Sequence, residues 1–280
     1  MTDPKLTEEV ERLVLARVAS GKVNVPAIGV VAMRCLDVLR DRDFDQRRLV
    51  REIEREPMIA VLILRAANAA VYGANPVTKL EQAVARLSIA RLEVVILEYA
   101  ARKVFEVAGP FAKASNEIWD HSVAVASVSR EVATCIGRRD ADAYYLAGLL
   151  HDIGKPVIAA MLFETQRKVA PGLAHWLDLD MWNRVIADTH HQAAQLVGKA
   201  WKIPAEIMVG REPGYDPVER RSVANVVRMA NAVAKRNGFA AGPVDLEVLD
   251  VTIAGGTTIV GIEPAVVEKL AGAMESAAAR

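Results

Sequence analysis

His151 and Asp152 stand side by side in the apolar stretch AGLLHDIGKPV, residues 147 to 157. An imidazole nitrogen beside a carboxylate oxygen is the kind of donor pair from which proteins build divalent-cation sites. A cation with open coordination positions can in turn activate water against a phosphate ester. A dipeptide alone supplies too few donors, so further ligands must come from other elements. His121 lies four residues before Val125 and seven before Val128, and so shares their inward helical face. The competing role for the same residues is structural. Buried His and Asp must be hydrogen-bonded to offset desolvation, and a cluster of them can satisfy itself across helices and fix their register.

The elements that must position these residues are helical by periodicity. Leu6, Val10, Leu13 and Val14 share one face, with Thr2 or Asp3 placed as a cap. Ile28, Val31, Ala32, Cys35, Leu36 and Leu39 repeat the helical spacing, and the charged run RDRDFDQRR then reads as a solvated connection. Pro57 suits a first helical turn, and the run from Met58 to Val71 is apolar nearly all round, which predicts a buried helix. Within it, Arg65, Asn68 and Tyr72 stand out, and Asn68 is expected to secure a neighbouring loop. Val84, Leu87, Leu92, Val95, Ile96 and Tyr99 line a further helical face.

Gly109 and Pro110 mark a break, which divides the chain into an N-terminal helical subdomain, 1–110, and a second helical subdomain, 111–280. After the break, Ser115 or Asn116 can cap a helix whose inner face holds Val125, Val128, Val132 and Cys135. Gly154 and Pro156 stop the helix ending in His151-Asp152, which leaves Lys155 as a cation at a helix C-terminus. Asp188 or Thr189 is placed to cap the next helix. His190 and His191 then open it and, being adjacent, point about 100° apart, with His190 expected at the surface. His175 reads as a loop residue. SVANVVRMANAVAKRNG is amphipathic and closes at Gly238, while DVTIAGGTTIVGI has the local look of a hairpin but helical surroundings, so helix and loop are expected there.

Composition excludes several classes. The 280 residues carry 35 basic and 35 acidic side chains, so nothing electrostatic favours nucleic acid or an anionic membrane. Two distant cysteines, Cys35 and Cys135, fit buried thiols in a reducing cytosol. The N-terminus has acids where a signal peptide has bases, and no run is long and apolar enough to span a membrane, so a cytoplasmic location is expected. No phosphate-cradling glycine loop and no GxSxG elbow is present.

Taken together, REPMIAVLILRAANAAVYG, KLEQAVARLSIARLEVVIL, DHSVAVASVSREVA, YLAGLLHDIGKPVI and THHQAAQLVGKAWKIPAEI resemble, in order and spacing, the HDOD family, the HD-related output domains of bacterial signalling proteins. The likeness runs from roughly residue 20 to residue 240. It implies an all-α fold with an N-terminal helical bundle packed on an HD-like bundle, and a signalling role through a protein partner or small nucleotide effector. It also implies a metal-ligand set of His121, His151 and Asp152, with Asn231 where catalytic HD phosphohydrolases have Asp. Asn is neutral and holds a hard cation less well than carboxylate. Arg211 lies where related phosphodiesterases carry histidines, and it would repel a cation. The resemblance places Lys155 within reach of a phosphate and aligns His191 with a histidine frequent in the family, while Ser88 replaces a usual glycine. The expectation is therefore a non-catalytic regulatory module with no cofactor, no nucleic acid and no membrane, whose apolar helices leave room for a dimer. Two other readings stay open: a metal-dependent phosphohydrolase of a nucleotide, and a sensor that binds a cyclic dinucleotide without cleaving it.

Overall fold

The computed structural model of the chain describes residues 4–69, 75–107, 111–169, 171, 179–210, 214–240, 242–263, 265–267 and 269–270. Thr2, Asp3, Tyr72, Gly109, Pro110, His175 and Arg211 lie outside the described residues. Among those described there are twelve α-helices, further helical residues at 265–267 and 269–270, and no strand.

The chain divides into two compact units, one of residues 27–103 and one of residues 1–26 with 104–280. The smaller contains α2 (Val30–Leu39), α3 (Gln46–Ile53), α4 (Pro57–Ala67), α5 (Leu80–Arg86) and most of α6 (Ile89–Phe105). The charged run is only partly a connection, because Asp45 accepts from the Arg47 amide and starts α3 inside it. Helix α4 buries Ile59, Ile63 and Ala67, but Met58 and Val61 face solvent, so this short apolar helix is covered on one side and not all round. Asn68 ends α4 and exchanges two hydrogen bonds with Val77, at 2.8 and 2.7 Å, tying down the following loop as expected. The stretch from Leu80 to Phe105 is interrupted at Leu87 and Ser88, where the Ser88 hydroxyl accepts from the Arg91 amide at the start of α6.

The larger unit contains α1 (Pro4–Ala19), α7 (Ala112–Cys135), α8 (Ala141–Leu150), α9 (Gly154–Val169), α10 (Leu179–Ala200), α11 (Val223–Arg236) and α12 (Leu246–Val260). Helix α7 packs along α8 and α11, α9 along α10, and α1 against both α9 and α10. Two expected caps are interior residues instead. Helix α7 begins at Ala112, and the Ser115 hydroxyl donates to Phe105 O. Helix α10 begins at Leu179, so Asp188 and Thr189 sit mid-helix, and Thr189 turns its hydroxyl back to Val185 O. Cys135 is exposed at the last turn of α7, whereas Cys35 is buried. Gly255 and Gly256 lie inside α12, where surrounding helix overrides the local hairpin look.

Helices α8 and α9 run almost end to end from Ala141 to Val169 and are apolar enough in composition to cross a membrane. Most of this stretch is buried inside the helical pack, which identifies it as core. Two glycines permit that packing. A Cβ on Gly148 would stand 2.8 Å from Ala126 Cα and 2.9 Å from Ala126 N on α7. A Cβ on Gly154 would overlap the His190 carbonyl on α10. Both obstacles are backbone and cannot rotate away. In an exposed helix, Gly→Ala stabilises by roughly 0.5–1 kcal/mol. Here Gly148→Ala and Gly154→Ala are each expected to destabilise by about 1–3 kcal/mol instead, as measured by the midpoint of urea unfolding.

Candidate functional site

The two close helix approaches set the spacing of the histidines. His121 lies mid-way along α7, and α8, pressed onto it through Gly148, ends one residue before His151. A single turn, closed by Ile153 N donating to Leu150 O, then presents Asp152 before α9 begins. Helix α10, held close through Gly154, adds His190. His121, His151, Asp152 and His190 are all buried.

The carboxylate is the centre of the cluster. Its Oδ2 lies 3.3 Å from His151 Nε2, 3.8 Å from His121 Nε2 and 2.6 Å from the Lys155 ammonium, while His190 Nε2 stands 3.7 Å from Oδ1. Each imidazole is turned by its other nitrogen. Nδ1 of His121 bonds Phe239 O at 2.7 Å, that of His151 bonds Gly148 O at 2.7 Å, and that of His190 bonds Ile186 O at 2.8 Å. A carbonyl can only accept, so each Nδ1 carries a hydrogen and each ring turns its Nε2 inward, as a lone pair on His121 and His190, which burial keeps neutral. Nε2 of His121 and of His151 is buried without a protein hydrogen-bond partner.

The electrostatics follow from burial and from this ring of neighbours. Burial, reinforced by His151, pushes His121 down to about 3, although Asp152 acts against the shift. Burial likewise lowers His190 against the pull of Asp152, and burial with the adjacent His190 takes His191 down to about 4. For Asp152, burial works to raise the pKa, but His151, Lys155 and His121 outweigh it and hold the carboxyl well below its usual range. It is therefore an anion sealed from water.

These residues suit one divalent cation. Ligand atoms of His121, His151 and Asp152 all lie within 4.8 Å of one another, and carbonyl-anchored imidazoles are the usual support of metal ligands. His121, His151 and Asp152 are thus brought together as the sequence groups them. Asn231 is half-buried on α11, with its Oδ1 enclosed and unpartnered. Lys155 is not at a helix C-terminus. It is the second residue of α9, where the helix dipole disfavours a cation, and Asp152 holds it there. His190 is not at the surface, because α10 begins well before it and places it on the packed face. His191 lies against it, with ring centres 3.9 Å apart.

Sequence reasoning missed Lys235 altogether. Burial lowers its pKa, with the Lys155 charge adding to the shift and Asp152 opposing it, so its ammonium lies within electrostatic reach of both. It stands one turn after Asn231 and one turn before Phe239, whose carbonyl orients His121. The i, i+4 spacing of Asn231 and Lys235 was the available signal.

An all-helical unit with a His-Asp pair between two helices and further histidines on their neighbours defines an HD-like protein. More narrowly, residues 25–212 match the HDOD domain, and the chain belongs to that family. No curated protein matches the sequence significantly. Among solved structures, a proposed metal-dependent phosphohydrolase from Shewanella amazonensis is similar with a TM-score of 0.71 and 18% identity, over 98% of this chain and 99% of the other. An HDOD domain protein of unknown function from Geobacter sulfurreducens gives 0.59 and 18% identity, over 98% of each chain. A proposed signal transduction protein from Marinobacter aquaeolei gives 0.52 and 17% identity, over 95% of this chain and 66% of the other. At such identities the likeness establishes the fold alone.

Histidines kept neutral in the folded state make it acid-sensitive. The unfolded chain binds protons at His121, His190 and His191 from about pH 6.5 downward, while the folded chain resists until about pH 4 for His191 and about pH 3 for His121. Unfolded protein holds more protons across that window, so stability falls as pH falls. Asp152, with a depressed pKa, adds a further loss only below its unfolded value, near pH 4. Thermal melts are expected to show Tm dropping steadily from pH 7 to pH 4.5, with a shallower drop in His121→Gln.

Proposed function

We propose that this chain is a regulatory module that works by binding a partner protein or small effector in the cytoplasm and not by hydrolysing a phosphate ester. The observation that carries this reading is the Lys155 ammonium 2.6 Å from Oδ2 of Asp152, the one carboxylate in the cluster among the described residues. A hydrolytic metal needs that oxygen, and it needs enough anionic charge around it to retain the ion. Here an internal cation already sits on the carboxylate, and Asn231 adds no charge.

A second reading has its own support. The inward Nε2 atoms of His121 and His151 are buried without a protein hydrogen bond, which is costly in a purely structural cluster. They favour retention of one divalent ion, with His121, His151 and Asp152 as the residues that would hold it. Such an ion, when bound, supplies Lewis acidity and a water of lowered pKa for phosphate-ester chemistry. The chain's own contribution is to fix three imidazole tautomers through backbone carbonyls and to keep the carboxylate ionised. The similarity to a proposed metal-dependent phosphohydrolase supports this alternative at the level of fold.

One assay decides between them. The purified chain with added Mn²⁺ is expected to give no turnover of bis(p-nitrophenyl) phosphate above the His151→Ala variant. Turnover that disappears in His151→Ala would establish the hydrolase instead.

A further inference from the structure

Helix α12 lies against α11 by one face. Its residues Leu249, Gly256 and Val260 are buried, and a Cβ on Gly256 would stand 2.6 Å from Met229 Cγ of α11. The other face carries Val248 at 59% exposed and Val251 at 73%, followed by Gly255 and Thr258. At about 100° per residue these four form one stripe, centred roughly 140° from the buried face. Single exposed valines are ordinary, but an apolar stripe along the free face of a helix marks a contact surface. The steps from Val248 to Val251, Gly255 and Thr258 alternate three and four residues, as in the seam between two packed helices.

The stripe complements itself. Reversed, its spacing is unchanged, so a second copy of α12 running antiparallel meets it in register. With the two-fold axis level with residue 253, Val251 faces Gly255 of the second copy and Val248 faces Thr258, each larger side chain against a smaller one. Charge is reversed along the helix in the same way. Glu247, exposed in the first turn, has no ion pair among the described residues, whereas Asp250 is held by Arg236 at 2.8 Å. At the other end Arg220, also exposed, donates to Thr258 O and Ile259 O at 2.9 and 3.0 Å. The same register sets Glu247 level with Ile259, and hence with Arg220, of the second copy. A closed two-fold dimer requires a self-complementary patch of this kind, whereas a foreign partner requires no such symmetry.

We propose that the chain associates with a second copy of itself through this stripe, the two α12 helices antiparallel, with Val251 against Gly255 and Glu247 against Arg220. No residue of the stripe belongs to the Asp152 cluster, so the contact stands whatever that cluster binds.

Sedimentation equilibrium of the full chain over a range of concentrations is expected to show one chain giving way to two. Val251→Glu sets a charge in the seam and is expected to weaken association at least about tenfold. Glu247→Arg is expected to weaken it about threefold, most at low salt. Should Val251→Glu prove unfolded by circular dichroism, Val248→Glu takes its place. Orientation is read in a Cys135→Ser background, where oxidising an equal mixture of Val248→Cys and Thr258→Cys chains is expected to link 248 to 258. A chain that stays single at every concentration overturns the proposal, whether its stripe is bare or taken by a different protein. So does a dimer indifferent to Val251→Glu, or one that links 248 to 248.

Discussion

Asp152 cannot give up its charge, and it has almost no water to share it with. A carboxylate enclosed among helices costs several kcal/mol unless its neighbours compensate, and the surrounding structure is arranged around that compensation. Lys155, from the first turn of α9, supplies the compensating charge, and His151 from the preceding residue, His121 from α7 and His190 from α10 close around the carboxylate. Four contacts to one functional group thus draw on three helices and the turn between two of them. A shift in any one of them changes the electrostatic balance of all.

Close backbone approach makes the arrangement possible. Glycine at 148 and at 154 removes the side chain where α8 meets α7 and where α9 meets α10. The His190 carbonyl that fills the space at Gly154 belongs to the residue that also presents Nε2 to Asp152, so packing and site geometry are set at the same point. Tautomers are fixed in the same economical way, by carbonyls of Gly148, Ile186 and Phe239 that the backbone already offers.

Helical periodicity was legible in the sequence, as were the pairing of His121 with His151-Asp152 and the tie between Asn68 and the following loop. Local signals failed where a longer-range interaction decided the outcome. Ser115, Asp188 and Thr189 look like helix caps, but the helices that contain them extend further because tertiary packing supports the added turns. Gly154 looks like a helix stop, yet it starts α9, because its missing side chain serves the α10 contact. Once α10 is lengthened, His190 turns from surface to interior. Lys235 escaped notice because a lysine near a helix end is usually solvated, whereas here the packing of α11 leaves it half-buried and lowers its pKa.

Phe239 follows Gly238, whose positive φ of 88° ends α11, and its amide returns to Ala234 O while its carbonyl reaches across to His121. A helix-termination signal, ordinarily a matter of local backbone closure, thereby aims an imidazole 118 positions away in the chain. The backbone closure of one helix and the heading of a buried imidazole are thus a single piece of geometry.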